Sequence, residues 1–301
     1  MADSYDSSAS TTPSLDAYAH SHLVYAPGIM RGRIDRFHPT PRRILDFGCG
    51  LGYMSLALAR AYPDCDVLGV DVHDNFANLA AFSQRVLNAP PPGNLRFAEI
   101  SPGQSVVPMM TPDVILSWSV MEHVNRAILP AVLADLHATL APGGILFTQI
   151  CPLFFSPFGS HLESVLDEPW AHLTLAHDDL RRRVVPDLSV PAENENGPWR
   201  FAHYEELNRI TAEELAIYAA DAGFDALEDT RLLMPQVPPA HLLTAYPRAV
   251  LLNHELIFVH RKGVAGQRGR RIAVRSNILR RMIAGPARRL LARHGGANPA
   301  G

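Results

Sequence analysis

The sequence predicts an open α/β fold on a parallel sheet, and three observations carry that expectation. Five short apolar segments, 42–47, 66–72, 94–100, 113–120 and 144–150, alternate with helical patterns, the rhythm of βαβ units. These segments are nearly continuous in apolar residues, as strands covered on both faces require. A glycine-rich turn, Gly48-Cys49-Gly50-Leu51-Gly52, stands where the first strand meets the first helix, beyond the carboxyl end of a strand, where open α/β sheets take ligands.

Element by element, residues 1–14 lack apolar periodicity and read as disordered. Over 15–40, Tyr18, Leu23, Val24, Tyr25, Ile29 and Ile34 recur as in one or two short helices, an N-terminal helical lid. RRILDF (42–47) is the first strand and YMSLALARAY the first core helix. DVLGVDV (66–72), bounded by Pro63-Asp64, is the second strand, and Asp74 is the expected N-cap of a helix over 74–88. NLRFAEI (94–100) and DVILSWSV (113–120) follow as strands. A helix over 126–140 stops at Ala141-Pro142-Gly143-Gly144, and GILFTQI (144–150) is the fifth strand. Regularity then lapses: 151–205 is rich in Pro, His, Trp and Phe, and VVPDLSVPAENENGPWR reads as a mobile loop. Thr211-Ala212-Glu213-Glu214 opens a helix with a capping box, running to about Ala222 before Gly223. FDALEDTRLL (224–233) and ELIFVHR (255–261) are two more strands, joined by a Pro-rich link, 234–248, too long for a tight hairpin. The expected organisation is thus a core over 41–150, an insert over 151–205, a return to the core over 206–262 and a tail over 263–301.

Composition narrows the classes. With 47% hydrophobic residues in 301, wholesale disorder is excluded, and no apolar run approaches the roughly 20 residues that cross a bilayer. The start MADSYDSSASTTPS has neither the cationic end nor the apolar stretch of a secretion signal. Cys49, Cys65 and Cys151 are too scattered for a disulfide framework or a zinc knuckle. A cytoplasmic protein is expected. The net charge of −3 hides an asymmetry: eleven of the 27 Lys/Arg lie in 261–301, which holds no acid. The acidic remainder argues against a nucleic-acid partner, which would need clustered cations. Over 264–294, Ile272, Ile278, Leu279, Met282, Ile283, Leu290 and Leu291 interleave with arginines around Gly285-Pro286. Such cationic amphipathic helices suit either the inner face of an anionic membrane or the acidic body of the chain itself.

The glycine turn has a partner. Asp71 ends the second strand, 21 residues after Gly50, where a carboxylate accepts hydrogen bonds from ribose hydroxyls. Dinucleotide sites use G-x-G-x-x-G to seat a pyrophosphate. Here the third glycine comes one residue early, Tyr53 takes its slot, and the loop opens with an acid, Asp46. Asp46 repels phosphate and suits an amine, so the expected ligand carries a ribose and a cation.

With ILDFGCGLG, GVDV, DVILSWSVMEHV and LAPGGILF in this order, the chain resembles the class I S-adenosylmethionine-dependent methyltransferases over about residues 42–150, and 211–261 extends the match. The resemblance implies a Rossmann-like, doubly wound sheet of seven strands, mostly parallel with an antiparallel last strand, and a helical or irregular insert after the fifth. It implies S-adenosylmethionine as cofactor, with Asp46 and the turn residues Gly48, Cys49, Gly50 and Gly52 at the methionine end and Asp71, beside Val72, on the ribose. Where the family often has an Asp near the adenine, this chain has Glu99, which either makes the same bond with a longer arm or faces solvent. Ser117, Trp118 and Ser119 fall at the expected pocket floor, with core packing the other reading of Trp118.

Methyl transfer from a sulfonium is an in-line displacement, so the protein chiefly positions the acceptor and excludes water. A hydroxyl acceptor also needs a base, for which histidine is suited; a neutral amine attacks unaided. His123, in Met121-Glu122-His123-Val124, is a candidate catalytic residue or a pocket wall. GSHLESVLDEPWAHL is similar to a pattern in methyltransferase-like proteins of bacterial glycan and natural-product pathways, and His161 and His172 within it are candidates for base or acceptor positioning, or for anchoring the insert. His161, Glu163, Asp167 and His172 are potential metal ligands, but their spacing matches no compact motif, and no metal is assigned. Phe154, Phe155, Phe158, Trp170 and Trp199 either line an acceptor pocket or form the insert's own core. The function expected is methylation of a hydroxyl on a small molecule or glycan. The alternatives are N- or C-methylation, or an inactive cofactor-binding module that recruits partners through its tail.

Overall fold

Residues 17–187, 189, 191 and 197–263 are described by the computed structural model, in two units, one ending at Pro102 and the other beginning at Gly103. The expectations for 1–14 and for the tail over 264–294 lie outside the described residues.

In the first unit, α1 (Ala17–His20) passes through a π-helical stretch, Ser21–Tyr25, into α2 (Ala26–Phe37), which buries Ala26, Pro27, Met30 and Ile34. Then come β1 (Arg43–Phe47), α3 (Tyr53–Ala61), β2 (Asp66–Asp71), α4 (Leu79–Leu87) and β3 (Leu95–Glu99). β2 pairs in parallel with β1 on one side and β3 on the other, setting Asp71 opposite Glu99. The apolar strand residues Ile44, Leu45, Val67 and Val70 and the helix residues Leu56 and Leu58 are buried, which is why the strand segments read as unbroken apolar runs. The ring of Phe97 fills the space over two glycines: a Cβ at Gly69 would lie 2.6 Å from it and one at Gly52 2.8 Å. One expectation is corrected. α4 starts at Leu79, after Asn78, and Asp74 does not cap it, because Phe76 stacks on Phe97 at 4.7 Å within a turn over 75–78.

The second unit contains β4 (Val114–Trp118), α5 (Leu129–Thr139) and β5 (Ile145–Ile150), followed by α6 (Ala171–Thr174), α7 (His177–Val184) and α8 (Gly197–Glu206). It ends with α9 (Ala212–Asp221), β6 (Phe224–Leu233), α10 (Ala240–Ala245), α11 (Arg248–Leu252) and β7 (Asn253–Lys262). β4 and β5 pair in parallel, while β7 runs antiparallel to both β5 and β6. The strand order is β3-β2-β1-β4-β5-β7-β6, the seven-stranded, mostly parallel sheet that the resemblance implied. α9 opens with the expected capping box: Thr211 Oγ1 accepts from the Glu214 N–H, and the Glu214 carboxylate accepts from the Thr211 N–H. The insert is more ordered than its sequence indicated, since Leu162, Ala171, Leu180, Val184, Phe201 and Tyr204 are buried together with Phe154. The described ends of the expected mobile loop are structured, with Val184 and Val185 buried and α8 starting at Gly197-Pro198, where proline suits a helix's first turn. The 234–248 link likewise holds α10 and the start of α11, each opening just after a proline, Pro239 and Pro247.

Candidate functional site

In the first unit the site begins at the carboxyl ends of β1 and β2. Gly48, Gly50 and Gly52 have φ of +79°, +53° and +76°, a path that L side chains resist. The turn is tied to β2, since the N–H groups of Gly48 and Cys49 both donate to the Val70 carbonyl, at 2.8 and 3.0 Å. Asp71 Oδ2 accepts from the Gly50 N–H at 2.8 Å and Oδ1 from the His73 N–H at 3.1 Å. This carboxylate therefore shapes the turn, and each oxygen keeps a second lone pair for another donor. Asp46 is buried and accepts from Ser55 Oγ at 2.6 Å. Burial, reinforced by the Asp71 charge and opposed by the Ser55 bond, lifts its pKa to about 6. Cys49 is also buried, and burial first, then Asp46 and Asp71, pushes its thiol far above the usual range. Val72 and Glu99 are exposed at the strand ends.

In the second unit, Ser117 is fully buried in β4 with its Oγ unpartnered among the described residues. Trp118 is buried and lies parallel to Phe147 at 6.1 Å, which supports its packing role. Beyond the strand ends, His123 and His161 meet edge to face with centroids 5.5 Å apart. His161 has φ +60°, and its Nε2 lies 3.2 Å from the Pro152 carbonyl. A carbonyl only accepts, so Nε2 carries the proton and Nδ1 is left with a lone pair. Burial lowers the His161 pKa against the raising effects of the Pro152 bond and Glu163. His123 is displaced downward too, by the surrounding protein and then by His161 and His203, an effect limited by the exposed face of its ring. His172 is turned inward. It is buried, its Nε2 donates to the Phe154 carbonyl at 2.6 Å, Nδ1 is unpartnered among the described residues, and burial holds its pKa near 4. The structure thus brings His123 and His161 together and makes His172 a support for the Phe154 backbone. Trp170 is buried, donates to the Phe155 and Leu251 carbonyls and packs with Leu242 and Leu251, whereas Phe154 belongs to the insert's core. Among the described residues no set of three or more His, Cys, Asp or Glu side chains is placed to hold a metal ion.

Sequence reasoning passed over several groups here. Glu122, beside His123, is buried with both carboxylate oxygens unpartnered among the described residues, and burial raises its pKa to about 8. Asn208 ties this loop down: its Nδ2 donates to the Met121 and Val124 carbonyls at 2.6 and 2.8 Å, and its N–H to the Glu122 carbonyl at 2.9 Å. Arg126 donates to the Asn208 and Arg209 carbonyls and pairs with Glu214. Arg209 has φ +59° and its guanidinium lies 5.1 Å from the Phe154 ring centre. Glu122 had a signal, an acid in an apolar run. The remainder depends on contacts across more than eighty residues.

Residues 24–229 match the family described as "Methyltransferase domain". Trans-aconitate 2-methyltransferase of Methylobacterium radiotolerans is 27% identical over 224 residues, covering 70% of this chain and 78% of that protein. The enzyme of the same name from Variovorax paradoxus is 31% identical over 170 residues, covering 54% of this chain and 61% of that protein. A solved structure of Burkholderia thailandensis 1,6-didemethyltoxoflavin-N1-methyltransferase aligns with a TM-score of 0.46 at 18% identity, over 82% of this chain and 81% of that one. With the family matched over most of its length, this chain belongs to the methyltransferase-domain family and is an S-adenosylmethionine-dependent methyltransferase of class I.

Proposed function

We propose that the protein methylates an oxygen of a small-molecule acceptor, with His161 receiving the proton when that oxygen is a hydroxyl. The observation that carries the reading is the His161 ring, fixed at Nε2 by the Pro152 carbonyl with Nδ1 unprotonated. Its depressed pKa keeps the base form populated below neutrality.

When bound, S-adenosylmethionine supplies a methyl group on a sulfonium, already activated toward attack. The residues of the first unit fit it. The positive-φ path of Gly48, Gly50 and Gly52 admits close approach, and Asp46 offers a buried acid near a cationic amine. Asp71 accepts from the ribose hydroxyls with its second lone pairs, and Cys49 and Val72 flank the ligand. Glu99, beside Asp71 in register, reaches toward the adenine. In the second unit, His161 Nδ1 takes the hydroxyl proton as the oxygen attacks in line. His123 orients the His161 edge, and His172 holds the Phe154 backbone. Residues 151–205 are the acceptor-binding part. A sugar hydroxyl would satisfy this chemistry, and a membrane role for 264–294 falls outside the described residues.

A second reading comes from the relatives, whose name specifies trans-aconitate. A carboxylate is already deprotonated at neutral pH and needs no base. Methyl transfer measured with labelled cofactor over a panel of hydroxy compounds and organic acids separates the two. For a hydroxyl acceptor, kcat/KM of the wild type rises with pH through a value below the ordinary imidazole range, and His161→Ala abolishes that limb. An unchanged profile in the variant would remove His161 from the chemistry and leave the carboxylate route.

A further inference from the structure

We propose that Arg209 anchors a carboxylate of the acceptor, so that the substrate is a small organic acid. This deepens the reading of the second unit as the acceptor side of a methyltransferase, and rests on it.

Four observations carry it. First, Arg209 makes no ion pair among the described residues, whereas Arg126, Arg182, Arg183 and Arg231 each meet a carboxylate. Second, its backbone is strained: φ is +59° in a residue with a long side chain, a conformation that persists only where surroundings enforce it. The enforcement is visible in Arg126, bonded to the carbonyls of Asn208 and Arg209 at 3.1 and 3.2 Å, and in the Asn208 side chain. Third, the guanidinium lies over the Phe154 ring at 5.1 Å from its centre, at the edge of the insert's buried core, and its charge reaches the Tyr204 and Tyr246 hydroxyls and His172. Fourth, the nearby cationic candidates do not add to it. Arg126 is neutralised by Glu214, and burial disfavours the charged forms of His161 and His172. A single guanidinium fork matches the two oxygens of one carboxylate.

The test uses the full-length protein and two independent titrations. Calorimetry with S-adenosylhomocysteine is expected to give the same affinity for wild type and Arg209→Gln; absence of binding to wild type would overturn the methyltransferase reading, while the second titration still judges Arg209. That titration uses mono-, di- and tricarboxylates, trans-aconitate among them, each against its neutral amide and against inorganic phosphate. At least one acid is expected to bind wild type while its amide does not. Affinity is expected to fall at least tenfold in Arg209→Gln and less in Arg209→Lys, and in turnover the loss should sit in KM rather than kcat. The proposal is overturned if no acid binds, if an amide binds as well as its acid, if phosphate binds better than every acid, or if Arg209→Gln binds acids like the wild type.

Discussion

At the scale of single residues, the cofactor side rests on a carboxylate with two duties. Asp71 fixes the Gly50 and His73 N–H groups, and on our reading also receives the ribose. Asp71→Ala is therefore expected to weaken S-adenosylhomocysteine binding by about 1–3 kcal/mol, read by calorimetry, through lost ribose bonds and a loosened turn together. Asp71→Asn, which keeps one carbonyl oxygen, should lose less. If Asp71→Ala binds as tightly as wild type, the ribose assignment fails. Of the two, the sequence suggests only the ribose contact, from an acid 21 residues past a glycine turn; the bonds to the turn emerge only from the structure. Arg209 was not visible in the sequence, because nothing local marks an arginine whose significance is the absence of a partner.

At the scale of elements, legibility followed locality. The capping box at Thr211–Glu214 and the five apolar strands are short-range signals, and they appear within a residue or two of their expected bounds. The start of α4 was misplaced because stacking of Phe76 on Phe97 outweighs the capping preference of Asp74. The insert was the least legible part, since its helices are short and its core gathers residues from Phe154 to Leu207. Gly159 is its tightest point. A Cβ there would lie 2.1 Å from the Phe154 carbonyl oxygen and 2.2 Å from that of Leu153, and backbone cannot swing aside as a side-chain tip does. Gly159→Ala is expected to cost more than about 3 kcal/mol, measured by chemical denaturation. A near-neutral effect would show that the 153–159 segment repacks freely.

At the scale of the whole molecule, the buried titratable groups set opposing slopes of stability with pH. Glu122 has its pKa raised from 4.5 to about 8, so between those values the folded chain holds a proton that the unfolded chain releases, and stability falls as pH rises. Asp46 acts in the same sense up to about pH 6. His172 and His260 are displaced down to about 4 by burial, so below 6.5 the unfolded state binds the extra protons and stability is lost as pH falls. The contributions offset one another on the acid side, and among the described residues Glu122 dominates between about 6.5 and 8, with a slope of up to about 1.4 kcal/mol per pH unit. Glu122→Gln is expected to flatten that decline in denaturation midpoints measured from pH 6.5 to 8, and an equally steep decline in the variant would move its origin elsewhere. The placement of β7 between β5 and β6 has a further consequence, for the order of events during synthesis. Two strands made earlier share a neighbour that leaves the ribosome only with residues 253–262. Until then each exposes an unpaired ladder edge, so this half of the nascent protein completes its sheet late, and a chain broken off before Asn253 would be prey to proteases and to sticking.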